Sequence, residues 1–475
     1  MKTMIDVRKV LSDLCESDRD IKVRKLSVHG SNIYILFIAQ LTDKMRLAEE
    51  VIKPILACEK KISAEILVDS VLYNEEIYTD TDEEGILDYV LSGKAVLLIE
   101  GESTYLIINT YKVQSRSVEM PELETTLRGS RDAFNENLET NLSLVRYRVR
   151  DEALSIDKFI VGRRTKTNIA VLHLKGVANE KFVNEIATKL KKIDIDGTID
   201  SGDIQKLISE GGSTLFPQIG IVERSDIAAN NLLEGKVLVL VDGNNLGLIA
   251  PKVFAEFFDS GDDHYSSPHL SVFSKLIRFA ALFFALCLSS IYVSVIAFNS
   301  DILPTMYIVT IATARASVPF NAVIEAFLME FTAEIMKEAS IRLPKQIGPA
   351  IGIVGTIVIG QAAVSAGLVS PLMVIIVALG TMSSFVAPDF TIMSPIRILK
   401  FFLLILTGLF GVFGFAIGLL FIFTHLISLE SFGIPYLVPA SPLRLKDIWD
   451  YFVSDIIMDK TRPTYLKTNN LTRRK

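Results

Sequence analysis

Four carboxylates stand at helical spacing between Pro319 and Arg342: Glu325, Glu330, Glu334 and Glu338. Proline opens this stretch and Pro344 closes it, so it reads as one helix. Glu330, Glu334 and Glu338 share one stripe of that helix, and Ile324, Leu328, Phe331 and Ile335 share another. Glu325 falls on the apolar side, where a carboxylate needs a partner or a wet cavity. Glu325, Glu330 and Glu334 are therefore candidates for a cation-attracting vestibule; a solvated helix face is the other reading. Glu338 and Arg342 suit an i,i+4 ion pair.

The following stretch, Ile347 to Leu368, holds no charged residue and is long enough to cross a bilayer core. Gly348, Gly352, Gly355 and Gly360 leave it a face on which another helix can lie close, in a second copy or in the same subunit. Val354, Ile357, Val358 and Gln361 are its larger side chains, and Val354, Val358 and Gln361 share a face. A ring of such residues can close a pore by dewetting; packing on the next helix is the alternative.

These stretches must be held by the rest of a 475-residue chain. Charged residues make up 22% of it, yet the mean hydropathy is +0.39. Charge lies mainly before Leu276 and after Leu429, with apolar runs between. The net charge of −6 argues against nucleic acid as a partner. Three cysteines, Cys15, Cys58 and Cys287, cannot build a disulfide framework, which suits a reducing compartment. No cleaved signal is expected at the N-terminus.

The first 250 or so residues contain a repeat. NIYILFIAQL from Asn32 resembles NIAVLHLKGV from Asn168, and LSGKAVLLIEG from Leu91 resembles LEGKVLVLVDG from Leu233. The offsets, 136 and 142 residues, are nearly equal. In both copies an apolar strand precedes a helix-period segment, and a strand–turn–strand follows around Glu100-Gly101 or Asp242-Gly243. This predicts two similar α/β subdomains in tandem, followed by an α-helical polytopic membrane domain. The expected boundaries are 1–127, 128–270, 271–430 and a basic tail, 431–475.

Other constellations carry less. KIDIDGTIDSGD places Asp194, Asp196, Gly197 and Asp200 as in a calcium loop, but Lys192 occupies the first ligand position and Asp203 the last, so a turn entering a helix is expected. Asp259, Asp262, Asp263, His264 and His269 read as a solvated linker, and His173 as a core histidine. The basic segment with Arg128, Arg131, Arg146, Arg148 and Arg150 reads as a solvated connecting helix with an apolar stripe at Leu138, Leu142 and Val145. No catalytic motif, phosphate loop, metal constellation or cofactor fingerprint is found, so neither an enzyme nor a metal or cofactor site is expected.

The first membrane span is expected over 273–298. Lys275 and Arg278 at its start place the N-terminal domain in the cytoplasm. Pro304–Val318 is too short to cross and suits a re-entrant segment. Ile347–Leu368 and Pro371–Ala387 then form a helical hairpin, and one long apolar run ends at Leu429.

The stretch EAFLMEFTAEIMKEASIRLPKQIGPAIGIVGTIVIGQAAVSAGLVS resembles the signature of the A subunit of bacterial spore germinant receptors, the GerA family. The likeness continues in FPQIGIVERSD (Phe216–Asp226), LLEGKVLVLVDG and SGDDHY, and covers roughly Arg128 to Pro435. Asn321 and Ser225 depart from it, standing where the family pattern leads one to expect proline. The resemblance implies a germinant-receptor subunit in the spore inner membrane, with a transporter-like B subunit that binds the nutrient and a lipoprotein C subunit. It also implies homo-oligomerisation around an ion path among membrane lipids. A secondary transporter with a large cytoplasmic domain is the alternative. Transporters usually repeat their membrane part, whereas the repeat here lies outside it.

Overall fold

The computed structural model describes the chain except for residues 1–6, 8–20, 75, 84, 112–120, 122–123, 125–128, 131, 210–213, 342–347, 454–460 and 474–475. At 341, 348–354 and 356–357 it describes the backbone alone. Cys15, Arg128, Arg131 and the expected Glu338–Arg342 pair thus lie outside the described residues. The chain divides into two compact units: Met1–Gly212 with Ile219–Pro251 and Lys460–Lys475, and Ser213–Gln218 with Lys252–Asp459. The chain thus joins the second unit briefly at Ser213–Gln218 and again from Lys252, and its last residues belong to the first.

The first unit contains two five-stranded antiparallel sheets. One is formed by β1 (Ile21–Val28), β2 (Ser31–Ile38), β3 (Ile77–Asp80), β4 (Ala95–Ile99) and β5 (Tyr105–Ile108), in the order β1-β2-β4-β5-β3. The other is formed by β6 (Leu154–Val161), β7 (Thr167–Leu174), β8 (Gly220–Val222), β9 (Val237–Val241) and β10 (Gly247–Ala250), in the order β6-β7-β9-β10-β8. The two orders are the same, so both copies of the sequence repeat have one topology. Strands β4 and β9 are buried at every residue, which is why AVLLI and VLVLV read as unbroken apolar runs. In the first sheet alternate residues enter different cores: Ile33, Ile35, Leu97 and Leu106 pack on one face, and Leu36, Val96, Leu98 and Ile107 on the other. The tight turns after β4 and β9 need φ > 0, supplied by Gly101 at +95° and Gly243 at +84°.

Helices α1 (44–57), α2 (64–71) and α3 (Gly85–Leu91) accompany the first sheet. Helices α4 (Leu138–Arg148), α5 (Glu180–Lys192), α6 (Ser201–Ile208) and α7 (Ser225–Glu234) accompany the second. The solvated connecting helix expected around Leu138 is corrected: α4 buries Leu138, Leu142, Leu144 and Val145 in the core of the second sheet. Its cations are used internally. Buried Arg146 donates to the carbonyls of Asp151 and Leu154, and Arg148 donates to Ser225 Oγ and Asp132.

The second unit is helical: α8 (Pro268–Val293), α9 (Thr305–Arg315), α10 (Ala322–Ile341), α11 (Gly348–Ser365), α12 (Pro371–Ser383), α13 (Met393–Ser428) and α14 (Leu445–Val453). Among the described residues two stretches, Pro268–Phe298 and Phe390–Ser428, are long and apolar enough to cross a membrane, and α12 is a shorter apolar helix. The long apolar run that ends at Leu429 is folded. Gly411 has φ 60° and ψ −138°, outside the helical region, and the chain reverses there. The rings of Phe402 and Phe421 come within 5.6 Å, and Ile422 and Leu426 join the cluster of Met393, Ile396 and Leu399. Each arm of α13 is roughly 27 Å long at 1.5 Å per residue.

Candidate functional site: a buried ionic core

Helix α10 is inside out relative to a soluble amphipathic helix. Ile324, Leu328, Phe331 and Ile335, the apolar stripe, are all exposed, whereas Glu325 and Glu330 are buried. A carboxylate in such a place must be neutralised by close partners. Asn321 Oδ1 accepts from Ile324 N at 2.9 Å, so an asparagine cap starts this helix where the family pattern suggested proline.

Three layers of partners meet Glu325, Glu330 and Glu334. Glu325 Oε1 accepts from Ser370 N at 2.6 Å and from Ser370 Oγ at 2.5 Å, and Arg315 lies 3.3 Å from Oε2. Ser370 caps α12, so this carboxylate meets the positive end of that helix. One turn further on, Glu330 accepts from Ser289 Oγ of α8 and lies 2.6 Å from Lys400 Nζ of α13. Glu334 is bound by Arg397, with Nε at 2.6 Å and Nη2 at 2.5 Å, and by Lys400 at 3.2 Å. A solvated helix face is therefore not what the chain forms. An open vestibule would need these charges unpaired, and here Glu330 and Glu334 share two cations. In the sequence Arg397 and Lys400 merely flank an apolar run, and Arg315 lies within one. A cation inside an apolar stretch was the signal for a buried partner.

The pore and packing candidates sit on α11. Val358 and Gln361 are exposed; for Val354, Ile357, Gly348 and Gly352 only the helical backbone is described. Gly355 and Gly360 pack within this chain: a Cβ on Gly355 would overlap Met336 Cε, and one on Gly360 would stand 2.8 Å from Val374 Cγ1.

The acidic approach to α8 is ordered, correcting the solvated linker expected there. Lys275, fully buried, lies 2.8 Å from Asp259 Oδ1, His264 lies 3.2 Å from Asp259 Oδ2, and Arg278 pairs with buried Asp263. Burial works to raise the Asp259 carboxyl, but Lys275 and His264 override it and hold the group well below the usual carboxylate range. Burial pushes the Asp263 carboxyl up in spite of Arg278, with Asp259 adding to the rise. His269 is exposed. The two cations that flagged membrane orientation are thus also structural.

Elsewhere the near-calcium loop is a turn entering a helix: Asp200 caps α6 by accepting from Gly202 N at 2.8 Å, and Asp194 pairs with Arg163. His173 is buried in β7 with Asp157 at 3.7 Å. In the FPQIGIVERSD stretch Arg224 is fully buried and bidentate to Asp226, a structural pairing. Among the described residues no group of three or more His, Cys, Asp or Glu side chains is arranged to hold a metal ion.

Comparison with known proteins completes the picture. Residues 9–465 match the family described as Bacillus/Clostridium GerA spore germination protein. The chain is 34% identical over 440 residues to spore germination protein KA of Bacillus subtilis (strain 168), covering 91% of this chain and 81% of that protein. It is 36% identical over 446 residues to the uncharacterized membrane protein YfkQ of the same organism, covering 93% and 87%. The crystal structure of the N-terminal domain of the A subunit of the Bacillus megaterium spore germinant receptor GerK3 shares 26% identity, covers 54% of this chain and 98% of that one, and has a TM-score of 0.40. With its family motifs in place across nearly its whole length, this chain belongs to the GerA family of spore germination proteins.

Proposed function

We propose that this protein is the A-type subunit of a nutrient-germinant receptor in the spore inner membrane, and that copies of it assemble around a gated ion path. The observation that carries this reading is the inverted helix α10: Glu325 and Glu330 are buried while Ile324, Leu328, Phe331 and Ile335 are exposed, as suits a lipid or protein environment. The N-terminal unit would be cytoplasmic, and a transporter-like B subunit and a lipoprotein C subunit would complete the receptor, the B subunit binding the nutrient. In this reading Val354, Ile357, Val358 and Gln361 line the narrow part of the path. Glu330 and Glu334 keep their pairs with Lys400 and Arg397 while the path is closed, and a cation-attracting vestibule forms when those pairs part. A nutrient-bound partner opens the path by binding the open form more tightly.

The test is cation release from spores carrying Val354→Ala or Val358→Ala at normal protein level. The gate predicts leakage without germinant and early loss of dormancy. Stable dormancy with a normal nutrient response in both would move the gate elsewhere.

A further inference from the structure

Helix α14 shows a second inversion. Leu445 and Trp449 stand at helical spacing, and Leu445 is 73% and Trp449 68% exposed, as is Leu443 just before the helix at 68%, while Ile448 and Phe452 are half-buried. Its other side faces the protein through polar groups together with the Tyr451 and Phe452 rings. Asp447 is buried, and Tyr451 OH donates to the Ala255 carbonyl at 2.8 Å. The helix is also clamped to α8: Lys275 Nζ donates to the Tyr451 carbonyl at 2.5 Å and lies 4.2 Å above that ring, and Ser271 Oγ donates to the Phe452 carbonyl. Phe279 packs on both Tyr451 and Phe452. An apolar face turned outward by a polar clasp is placed to meet something apolar.

The level of the clasp identifies what that is. The stretch Pro268–Phe298 is 31 residues long. At 1.5 Å per residue that is about 46 Å, well beyond the roughly 30 Å hydrocarbon core, so one end stands among the headgroups. Ser271 and Lys275, which hold α14, lie in its first two turns, beside the exposed Leu270, Phe273 and Leu276. Tryptophan favours this depth, with its ring in the acyl boundary and its N–H in water. The exposed Lys446 adds a cation suited to anionic headgroups.

We propose that α14 is an interfacial membrane anchor: Leu443, Leu445 and Trp449 insert among the headgroups and upper acyl chains of anionic phospholipid, held at that depth by the Lys275–Tyr451 clasp. This rests on the reading of α8 as membrane-spanning.

Trp449 is the one tryptophan in the chain, so intrinsic fluorescence reports on this site alone. The full chain is reconstituted in vesicles of phosphatidylcholine and phosphatidylglycerol, with and without phospholipid brominated near the headgroup end or deep in the acyl chain. Emission is expected to be blue-shifted and quenched strongly by the shallow bromine and weakly by the deep one. Leu445→Asp should lose most of that quenching. Emission typical of indole in water, quenched by acrylamide but not by bromolipid, overturns the anchor. Protection from both quenchers also overturns it, since the face would then be covered by protein. Alkaline extraction separates the two readings. A chain that stays with the vesicles while Trp449 goes unquenched keeps its spanning helix and loses the anchor, and a chain that is extracted loses both.

Discussion

Lys400 Nζ lies 2.6 Å from Glu330 Oε2, joining α13 to α10 in the interior of the second unit. Both residues are buried, with side-chain exposures of 10% and 1%, so neither charge has water to fall back on. Removing Lys400 alone should be costly, by about 3–5 kcal/mol, because Glu330 is left unpaired. Lys400→Met is expected to lower the thermal midpoint sharply, and adding Glu330→Gln should recover most of the loss. Equal destabilisation by the single and double variants would show that the pair is not the source.

The fold of α13 at Gly411 predicts a distance. An unbroken helix would hold residues 402 and 421 roughly 28 Å apart at 1.5 Å per residue. Spin labels at these positions in the reconstituted chain should instead report close approach. Gly411→Ala places a Cβ 2.8 Å from Phe298 Cγ at a positive φ, and is expected to destabilise the hairpin by about 1–3 kcal/mol. A long distance in the unmodified chain would rule out the hairpin.

His173 predicts a pH dependence in the first unit. Burial lowers its imidazole below the ordinary value of 6.5, against the pull of Asp157. The unfolded chain therefore takes up the proton first. The stabilising contribution is whole above the unfolded value and is lost as pH falls through the folded one. Amide exchange in β7, corrected for intrinsic rate, should quicken from about pH 7 to pH 5. His173→Gln should flatten that profile, and an unchanged slope would assign it to another group.

Gly355 tests where the small-residue face of α11 is used. Leucine there meets Met336 of the same chain, so Gly355→Leu should lower the yield of folded protein, with Met336→Ala restoring part of it. Full yield with loss of cross-linked oligomers would show that Gly355 serves self-association instead.

Much of the architecture is carried by local pattern. The apolar runs of β2 and β7, the unbroken burial of β4 and β9, and the glycine turns after them are legible because each follows from the burial of one strand. Their recurrence at nearly equal offsets announced two similar subdomains, and the shared strand order is the tertiary form of that recurrence. The caps at Asp200 and Asn321 depend on a few neighbouring residues in the same way.

What periodicity cannot specify is which side of a helix faces inward. Glu330 and Glu334 were visible as a stripe of α10. Whether that stripe met water, ions or protein depended on Lys400 and Arg397, more than sixty positions away. Hydropathy likewise measures the length of an apolar run but not its path, so the reversal at Gly411 stayed hidden in a sequence of small residues spaced for packing. The outward face of α14 is the same case: local sequence does not decide which side of that helix faces inward, and the clasp of Lys275 on Tyr451 holds Trp449 outward. In each instance the deciding interaction joins residues far apart in the chain, and it exists only once both helices are in place.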